Sequence, residues 1–166
     1  STSVSNGTYS GATQIQQGKT AVVTISPNTG YKLPTTVSVS GATSTYNSST
    51  GEIELSEPTG DVNISASMVV ATQYTVSTSL TGLTASGDST IYENGTATVT
   101  LSVIDSSTKV LPTELTSVTN AVSYSYNSST GAVTINGATG NIVITASAIN
   151  KPSEETESFT FPSDKA

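Results

Sequence analysis

The chain contains one sequence twice. The hexapeptide Tyr-Asn-Ser-Ser-Thr-Gly at residues 46–51 recurs without change at residues 126–131. Residues 51–67 then align without a gap with residues 131–147, and the apolar positions match where many polar positions differ. Self-similarity of this kind is typical of a duplicated structural unit, because each unit must repeat the core positions that its fold requires. The sequence therefore predicts two copies of one small domain.

The first half of each copy aligns at a different spacing from the second half. Residues 20–26 match residues 96–102 at an offset of 76, whereas the offset after the hexapeptide is 80. Residues 33–35 match residues 111–113 at an intermediate offset, so the second copy gains its additional residues in two steps. Surface loops tolerate extra length best, and we expect the insertion around a loop.

Alternation of apolar and polar residues predicts β-strands in both copies. Residues 52–56 and 61–68 alternate with a period of two, which places one set of side chains on each face of a sheet. Gly51 lies where a tight hairpin needs a positive φ, so we expect the last three strands of each copy to form an antiparallel meander. Six or seven short strands per copy predict an all-β fold made of antiparallel β-sandwich domains.

The repeat also predicts the domain boundaries. We expect the first domain at residues 1–70, the second at residues 71–150 and an acidic C-terminal tail at residues 151–166. Most of the counterpart of the strand at residues 74–80 would precede residue 1, so the first strand of the first domain is expected to be short. We also expect a longer parent chain or a partner on the N-terminal side. The linker near residues 70–73 is very short and predicts a semi-rigid rod.

The charged residues limit the partners that the chain can bind. It holds five Lys, no Arg and no His, and its net charge is −7. Nucleic-acid binding requires clustered cations that displace counterions from phosphates, so we expect no nucleic-acid partner. No stretch approaches the roughly 20 apolar residues that span a bilayer, so we expect no membrane insertion.

The same composition limits catalysis. Without His and Cys the chain has no His-based triad, no thiol nucleophile and none of the usual zinc ligand sets. Glu52 and Glu54 share one face of a predicted strand, but the second copy holds Ala132 and Thr134 there, which favours solvated carboxylates over a catalytic pair. No Asp-x-Asp-x-Asp cluster supplies the oxygen ligands of a calcium site. We expect no enzymatic activity, no catalytic or metal-binding residue and no cofactor.

The repeat resembles modules of known surface proteins. The features that carry the resemblance are Gly-Tyr-Lys-Leu-Pro at residues 30–34, a Val-x-Val strand, Tyr46 with Asn-Ser-Ser-Thr-Gly, and residues 60–66. Similar repeats occur in Gram-positive bacterial surface proteins and in virion structural proteins of phages that infect such bacteria. The resemblance covers nearly all of residues 1–150 and implies tandem immunoglobulin-like domains. Residues 106–110 lack the Gly-Tyr pair, so a ligand site that depends on this pair would exist only in the first copy.

The resemblance and about 60 Ser or Thr residues predict an extracellular location. We expect a non-enzymatic structural or display module on a phage virion or a bacterial cell surface, which acts as a spacer or decoration with weak adhesion to host glycans. Its expected partners are other virion or cell-surface structural proteins and host surface glycans. One alternative is a dedicated carbohydrate-binding or adhesin unit of a larger secreted protein. Another is an accessory domain of a secreted hydrolase.

Surface adhesins of this kind include proteins with a covalent link between a Lys and an Asn or Asp. Lys19, Lys32 and Lys109 are the candidates in the two copies. None is expected in an apolar strand opposite an Asn of another apolar strand, so we interpret all three as ordinary surface lysines.

Aromatic residues are the candidates for ligand or partner contacts. Tyr31 and Tyr92 fall in predicted loops, where an exposed ring is able to stack on a ligand. Tyr46 and its counterpart Tyr126 are expected at the edge of the core with their hydroxyls in water. Phe159 and Phe161 share one face of residues 158–162, which predicts docking on a neighbour or on an open sheet edge by strand addition. The alternative interpretation of this segment is a disordered end.

Overall fold

The computed structural model describes residues 1–152, which form strands and turns. The strands of the first copy are β1 (Thr2–Ser5), β2 (Gly7–Gly11), β3 (Ala21–Pro27), β4 (Tyr31–Lys32), β5 (Ser38–Ser40), β6 (Thr43–Tyr46), β7 (Glu52–Ser56), β8 (Asn63–Ser67) and β9 (Val69–Val70). Those of the second copy are β10 (Gln73–Thr81), β11 (Leu83–Gly87), β12 (Thr90–Tyr92), β13 (Thr96–Val103), β14 (Lys109–Val110), β15 (Ser117–Val118), β16 (Ala121–Tyr126), β17 (Ala132–Ala138), β18 (Ile142–Ser147) and β19 (Ile149–Asn150).

The predicted all-β fold is confirmed over the described range. No helix occurs in residues 1–152, and so none there is long and apolar enough to cross a membrane.

Both copies arrange their strands in the same order. The first copy has a four-stranded sheet, β2-β3-β7-β6, a three-stranded sheet, β1-β8-β5, and the short pair β4-β9. The second copy has the sheets β11-β13-β17-β16 and β12-β10-β18-β15 and the short pair β14-β19. Every strand pairing within residues 1–152 joins strands of the same copy. The arrangement is consistent with a β-sandwich in each copy.

Two separate hydrophobic clusters lie between these sheets. The first contains seven buried residues, namely Val23, Ile25, Ile53, Leu55, Ile64, Ala66 and Met68. The second contains thirteen, namely Val76, Leu83, Ile91, Ala97, Val99, Leu101, Leu115, Val133, Ile135, Ala138, Ile142, Ile144 and Ala146. Most residues of each cluster come from the two larger sheets of one copy, because strand alternation turns every second side chain inward.

The predicted three-stranded meander at the end of each copy is wrong. β6 and β7 pair as a hairpin, but β8 leaves that sheet and pairs with β1 and β5. The reversal at residues 57–60 is therefore a crossover between sheets. It lets Ile64 and Ala66 of β8 reach the core from the sheet opposite β7.

One strand pair in each copy is parallel, which corrects the expectation of wholly antiparallel sheets. β1 pairs with β8 so that Val4 lies opposite Ala66, and β10 pairs with β18 so that Leu80 lies opposite Ala146. Parallel strands require a long connection, which the rest of each copy supplies. Leu80 follows Val4 by 76 residues and Ala146 follows Ala66 by 80, so the pairing reproduces the offsets of the sequence alignment.

The insertion in the second copy enters in three steps instead of the two predicted. The first step falls at the turn that starts at Asp105, where the Lys109 amide donates to the Asp105 carbonyl at 3.0 Å. Val118 pairs with Ile144 as Val39 pairs with Ile64, so the offset at this strand is 79. The last residue enters after Val118. A shift of register by one residue would turn the apolar side chains of a strand to the other face of the sheet, whereas a residue added beyond the end of a strand leaves its register unchanged. The added residues therefore lie between strands.

The repeated hexapeptide forms the same turn in both copies. The Asn47 side-chain oxygen accepts hydrogen bonds from the amides of Ser49 at 2.9 Å and Thr50 at 3.3 Å, and Asn127 does the same in the second copy. Gly51 has a φ of 78°, and its carbonyl accepts a hydrogen bond from the Ile25 amide at 3.0 Å. These bonds explain why the turn needs Asn at its first position and Gly at its last position in both copies.

Candidate functional site

The first candidate site is the junction between the two copies, where the structure places Tyr31 and Tyr92. The two tyrosines belong to the short strands β4 and β12 and are half-buried, which corrects the expectation of exposed loop residues. Tyr31 packs against the first core. The ring of Tyr92 covers Gly30, and a Cβ at that glycine would lie 3.3 Å from the ring. Contact with a ligand remains a prediction for both residues.

Polar contacts join the copies at the same place. Lys32 Nζ lies 2.9 Å from Glu93 Oε1, and the Thr72 amide donates to the same carboxylate oxygen at 2.8 Å. Asn94 Nδ2 donates to the Tyr31 carbonyl at 3.0 Å. The hydrogen bond from the Thr72 backbone, followed by that from Lys32, lowers the pKa of Glu93 below its ordinary value. Glu93 therefore binds Lys32 of the first copy and the Thr72 amide at the start of the second copy.

The second candidate site is a cleft of about 550 Å³ in the first copy. The apolar part of its wall includes Ile15, Ala21, Val23, Leu55, Val62 and Ile64, and its polar part includes Gln14, Gln16, Asp61 and Asn63. The Ser1 amino group donates to the Val62 carbonyl at 2.6 Å at the edge of the cleft. Asp61 is the one carboxylate among the lining residues, so the cleft lacks the pair of acids that glycoside hydrolysis uses.

The exposed tyrosines are not the ones that sequence reasoning selected. Tyr9 on β2 is 53% exposed and lines the cleft, and Tyr124 on β16 is 46% exposed. Strand alternation places Tyr124 on the same face as Tyr126, which packs against the core, so the pattern gives no signal for the exposure of Tyr124. No pattern marks Tyr9 either, since its strand is short and mostly polar.

The matched tyrosines Tyr46 and Tyr126 pack against the two cores as expected. Their hydroxyls are not left to water, however: they donate to the carbonyls of Pro34 at 2.9 Å and Pro112 at 3.0 Å. Desolvation by burial raises the pKa of both phenols.

Lys109 has a different environment from the one predicted, because it lies directly opposite Asn150 in the β14–β19 pair and binds its side-chain oxygen. The nearby Asp105 carboxylate accepts hydrogen bonds from Ser107 and Thr108, which lower its pKa to about 2. The Lys109–Asn150 contact is exposed, so we interpret it as an ordinary hydrogen bond.

The remaining candidates divide between exposed and undescribed residues. Glu52 and Glu54 are exposed on β7. Within residues 1–152 no group of three His, Cys, Asp or Glu side chains converges as a metal site would require. Phe159 and Phe161 lie outside the described residues.

Comparisons of the chain with protein-family models, with curated proteins and with solved structures gave no match.

Proposed function

We propose that the chain is a non-enzymatic structural module of two tandem immunoglobulin-like β-sandwich domains. In this proposal the domains occupy residues 1–70 and 71–150, and they act as a spacer or decoration on the outside of a phage virion or a bacterial cell. The partners are other structural proteins of that surface, together with surface glycans that are bound weakly.

The junction between the copies is the observation that carries this proposal. A spacer must hold its ends apart, and a short linker does so only when the neighbouring domains also contact each other. The Lys32–Glu93 ion pair and the hydrogen bond from the Asn94 side chain to the Tyr31 carbonyl supply such contacts. Both partners of the ion pair are partly solvated, so the pair contributes little to stability. Its main effect in this proposal is to restrict the orientation of one copy relative to the other.

The chemistry of the outer faces also supports a structural role. The strands present hydroxyl-bearing residues to solvent, as in Thr43–Tyr46 and Asn63–Ser67, whose exposed residues are polar. Hydroxyl-rich faces with few cations favour solubility and weak contacts over tight binding of an anionic partner.

Residual dipolar couplings test the spacer role directly. We expect the two copies of the unaltered protein to share one alignment tensor. In Glu93→Gln the alignment tensors of the two copies should differ, because the substitution weakens both the ion pair with Lys32 and the hydrogen bond from Thr72. Glu54→Gln, which changes an exposed carboxylate on β7, serves as the control. Independent tumbling of the two copies in the unaltered protein would contradict a spacer.

Acidification provides a second test of the same contact. The pKa of Glu93 is lowered in the folded protein, so its ionised carboxylate stabilises the contact between the copies. This stabilisation is fully present above the ordinary pKa of 4.5 and is lost as the pH falls through the lower folded-state pKa. The common alignment should therefore persist at pH 4.5 and weaken below it.

Antibodies against the chain should also label intact virions or cells of the source if the module lies on a surface.

A dedicated carbohydrate-binding unit is the second candidate function, and the exposed rings of Tyr9 and Tyr124 favour it. Sugars stack on exposed aromatic rings, which supply flat apolar area with little loss of entropy. A glycan array distinguishes the two functions. The structural module predicts no saturable glycan at micromolar concentration, whereas an adhesin predicts one that Tyr9→Ala or Tyr124→Ala removes.

A further inference from the structure

One edge of the second copy lacks the usual protection against strand pairing. The edge strand is β16, which pairs within residues 1–152 with β17 alone. Its sequence is Ala-Val-Ser-Tyr-Ser-Tyr, which contains neither a charged residue nor a proline. Natural proteins commonly place such residues on sheet edges, because unpaired backbone groups otherwise accept a further strand. The β16 edge is therefore open to pairing.

The hydrogen-bond pattern identifies the backbone groups that point to this open edge. The Asn127 amide donates to the Ala132 carbonyl at 2.9 Å, so the two residues form a bonded pair of the β16–β17 ladder. Bonded and non-bonded pairs alternate along an antiparallel ladder. The amides and carbonyls of Val122, Tyr124 and Tyr126 therefore point away from β17.

Two of these residues also expose apolar side chains. Tyr124 lies opposite the buried Ile135, so it belongs to the face of the sheet that is turned to the core. Alternation places Val122 and Tyr126 on the same face. Tyr126 packs against the core, but Val122 is 67% exposed and Tyr124 is 46% exposed. Uncovered apolar surface therefore lies beside unpaired backbone groups.

The matching edge of the first copy has a different surface. Its strand β6 covers only Thr43–Tyr46. The sequence offset of 80 puts Ser44 where the second copy has Tyr124, and Ala42 where it has Val122. The apolar edge is thus a property of the second copy alone, and the fold that the copies share does not require it.

The sequence of β16 is nearly the same in both directions from Tyr124. Ser123 and Ser125 flank this residue, and Val122 and Tyr126 lie one position further out. A two-fold axis at Tyr124 places this residue opposite itself in another molecule and Val122 opposite Tyr126. Apolar side chains then meet on one face of the joined sheet and serines meet on the other. An interface between identical surfaces requires self-complementarity of this kind.

We propose that the β16 edge binds the same edge of a second molecule of this chain. The two four-stranded sheets then join into one sheet of eight strands, with the two β16 strands antiparallel at its centre. The free backbone groups of Val122, Tyr124 and Tyr126 supply about six main-chain hydrogen bonds. Contacts between aromatic and β-branched side chains add to them. The proposal goes beyond the display function and does not depend on where the module is located.

The distribution of charge favours this place for a contact between identical molecules. The net charge of −7 makes two molecules repel each other. Like charges directly opposite each other destabilise a strand pair, but residues 121–126 contribute none. The contact is one strand wide and smaller than the interface of a permanent dimer, so we expect weak, concentration-dependent association. A two-fold contact is closed, so association ends at the dimer.

Sedimentation equilibrium of the full chain at concentrations up to about 1 mM tests the proposal. We expect a monomer–dimer equilibrium without larger species. Tyr124→Lys should weaken dimerisation at least about tenfold, because two cations then lie directly opposite each other. The control is Ser44→Lys, which makes the same change in net charge at the matching position of the first copy and should leave the equilibrium unchanged.

A mixture of two variants separates loss of the interface from loss of folding. Tyr124→Lys and Tyr124→Glu chains should each be monomeric. Their equimolar mixture should form a heterodimer, because opposite charges then meet at the axis. Two folded variants that do not associate when mixed would contradict the proposed register.

Because the chain has no cysteine, a single substitution can locate the axis. The Cα atoms of a bonded antiparallel pair are about 5.5 Å apart, which a disulfide can span. Tyr124→Cys should therefore form a disulfide-linked dimer under mild oxidation, whereas Ser44→Cys should not. In the unaltered protein, hydrogen exchange at the amides of Val122 and Tyr124 should slow as concentration rises, while exchange at Ser44 should not change.

Three results would overturn the proposal. They are a monomer at every concentration, a dimer that Tyr124→Lys leaves unchanged, and saturable glycan binding at Tyr124 without self-association.

Discussion

At the scale of single residues, the hydroxyls of Tyr46 and Tyr126 carry the same interaction in both copies. Each ring packs against a core, and each hydroxyl donates to a proline carbonyl, in Pro34 or Pro112. A proline carbonyl next to a core needs a donor, because an unpaired buried acceptor is costly. The sequence predicts the packing of these rings, but their hydrogen bonds depend on a loop that only the folded chain brings close.

Removing either hydroxyl should destabilise the copy that contains it. We expect Tyr46→Phe and Tyr126→Phe each to lower the free energy of unfolding by about 0.5–1.5 kcal/mol, the usual contribution of one such hydrogen bond. Urea denaturation followed by NMR of both copies measures the effect. Tyr124→Phe, at an exposed ring, is the control. Equal stabilities for Tyr46→Phe and Tyr124→Phe would show that the Pro34 bond contributes nothing.

Asp105 is a second residue whose surroundings define a measurable property. Hydrogen bonds from the Ser107 side chain, then from Thr108, hold its pKa at about 2. Since the folded-state pKa is lowered, the contribution to stability is present above the ordinary value of 3.8 and is lost as the pH falls toward 2. The carboxyl carbon shift of Asp105 should therefore titrate near pH 2.

Substitution of the donor tests this cause. We expect Ser107→Ala to raise the pKa of Asp105 toward its ordinary value, because the Ser107 hydroxyl is the largest contributor. Ser106→Ala, which changes the neighbouring hydroxyl, should leave the titration in place. An unchanged pKa in Ser107→Ala would contradict the assignment.

At the scale of single elements, the repeated turn depends on a glycine. Gly51 has a φ of 78°, and an added Cβ would lie 2.2 Å from the Ile25 carbonyl oxygen. Gly18 has a similar φ of 74°, yet an added Cβ would meet nothing within 4 Å. The two glycines share the backbone requirement and differ in the space around them.

This difference gives a matched pair of substitutions. We expect Gly18→Ala to cost about 1 kcal/mol, because an L-residue tolerates the left-handed region at roughly that cost. Gly51→Ala should cost about 2 kcal/mol or more, since the Ile25 carbonyl must also move and its strand loses register with β7. Thermal unfolding of the two variants measures the difference. Equal costs would show that the contact with Ile25 relaxes freely.

The sheet to which β8 belongs is a feature of a single element that the sequence predicted wrongly. The alternation of residues 61–68 identifies β8 and its inward side chains, but alternation does not state which neighbour a strand pairs with. β7 and β8 both turn apolar side chains toward the same core. This orientation is possible whether the two strands belong to one sheet or to two facing sheets. The observed crossover places Ile64 opposite Val39 and Thr2 instead of β7.

At the scale of the whole molecule, the two cores are built from matched residues. Ile64 and Ile144 occupy the same place in β8 and β18 and are 4% and 0% exposed. The strand pairings of residues 1–152 do not cross between the copies. A substitution that leaves a cavity in one core should therefore destabilise only the copy that contains it.

Matched cavity substitutions test this independence. We expect Ile64→Ala and Ile144→Ala each to cost about 2–5 kcal/mol in the copy that contains the change. Hydrogen exchange measured residue by residue should show lost protection in that copy while the other keeps it. Each variant is the control for the other. Uniform loss of protection across residues 1–152 would show that the copies unfold as one unit.

The duplication, the all-β class, the strand faces and the turn at Asn47–Gly51 are predictable from the sequence, because they depend on local periodicity and on residues that recur letter for letter. Only the folded chain shows the sheet to which β8 belongs, the parallel pairing of β1 with β8 and of β10 with β18, and the partial burial of Tyr31 and Tyr92 at the junction. Those features depend on contacts between residues far apart in the chain, and a local pattern is the same whichever distant partner is present. The cleft of the first copy belongs to the second group, since residues from distant parts of the sequence, such as Ile15, Leu55 and Val62, line it together.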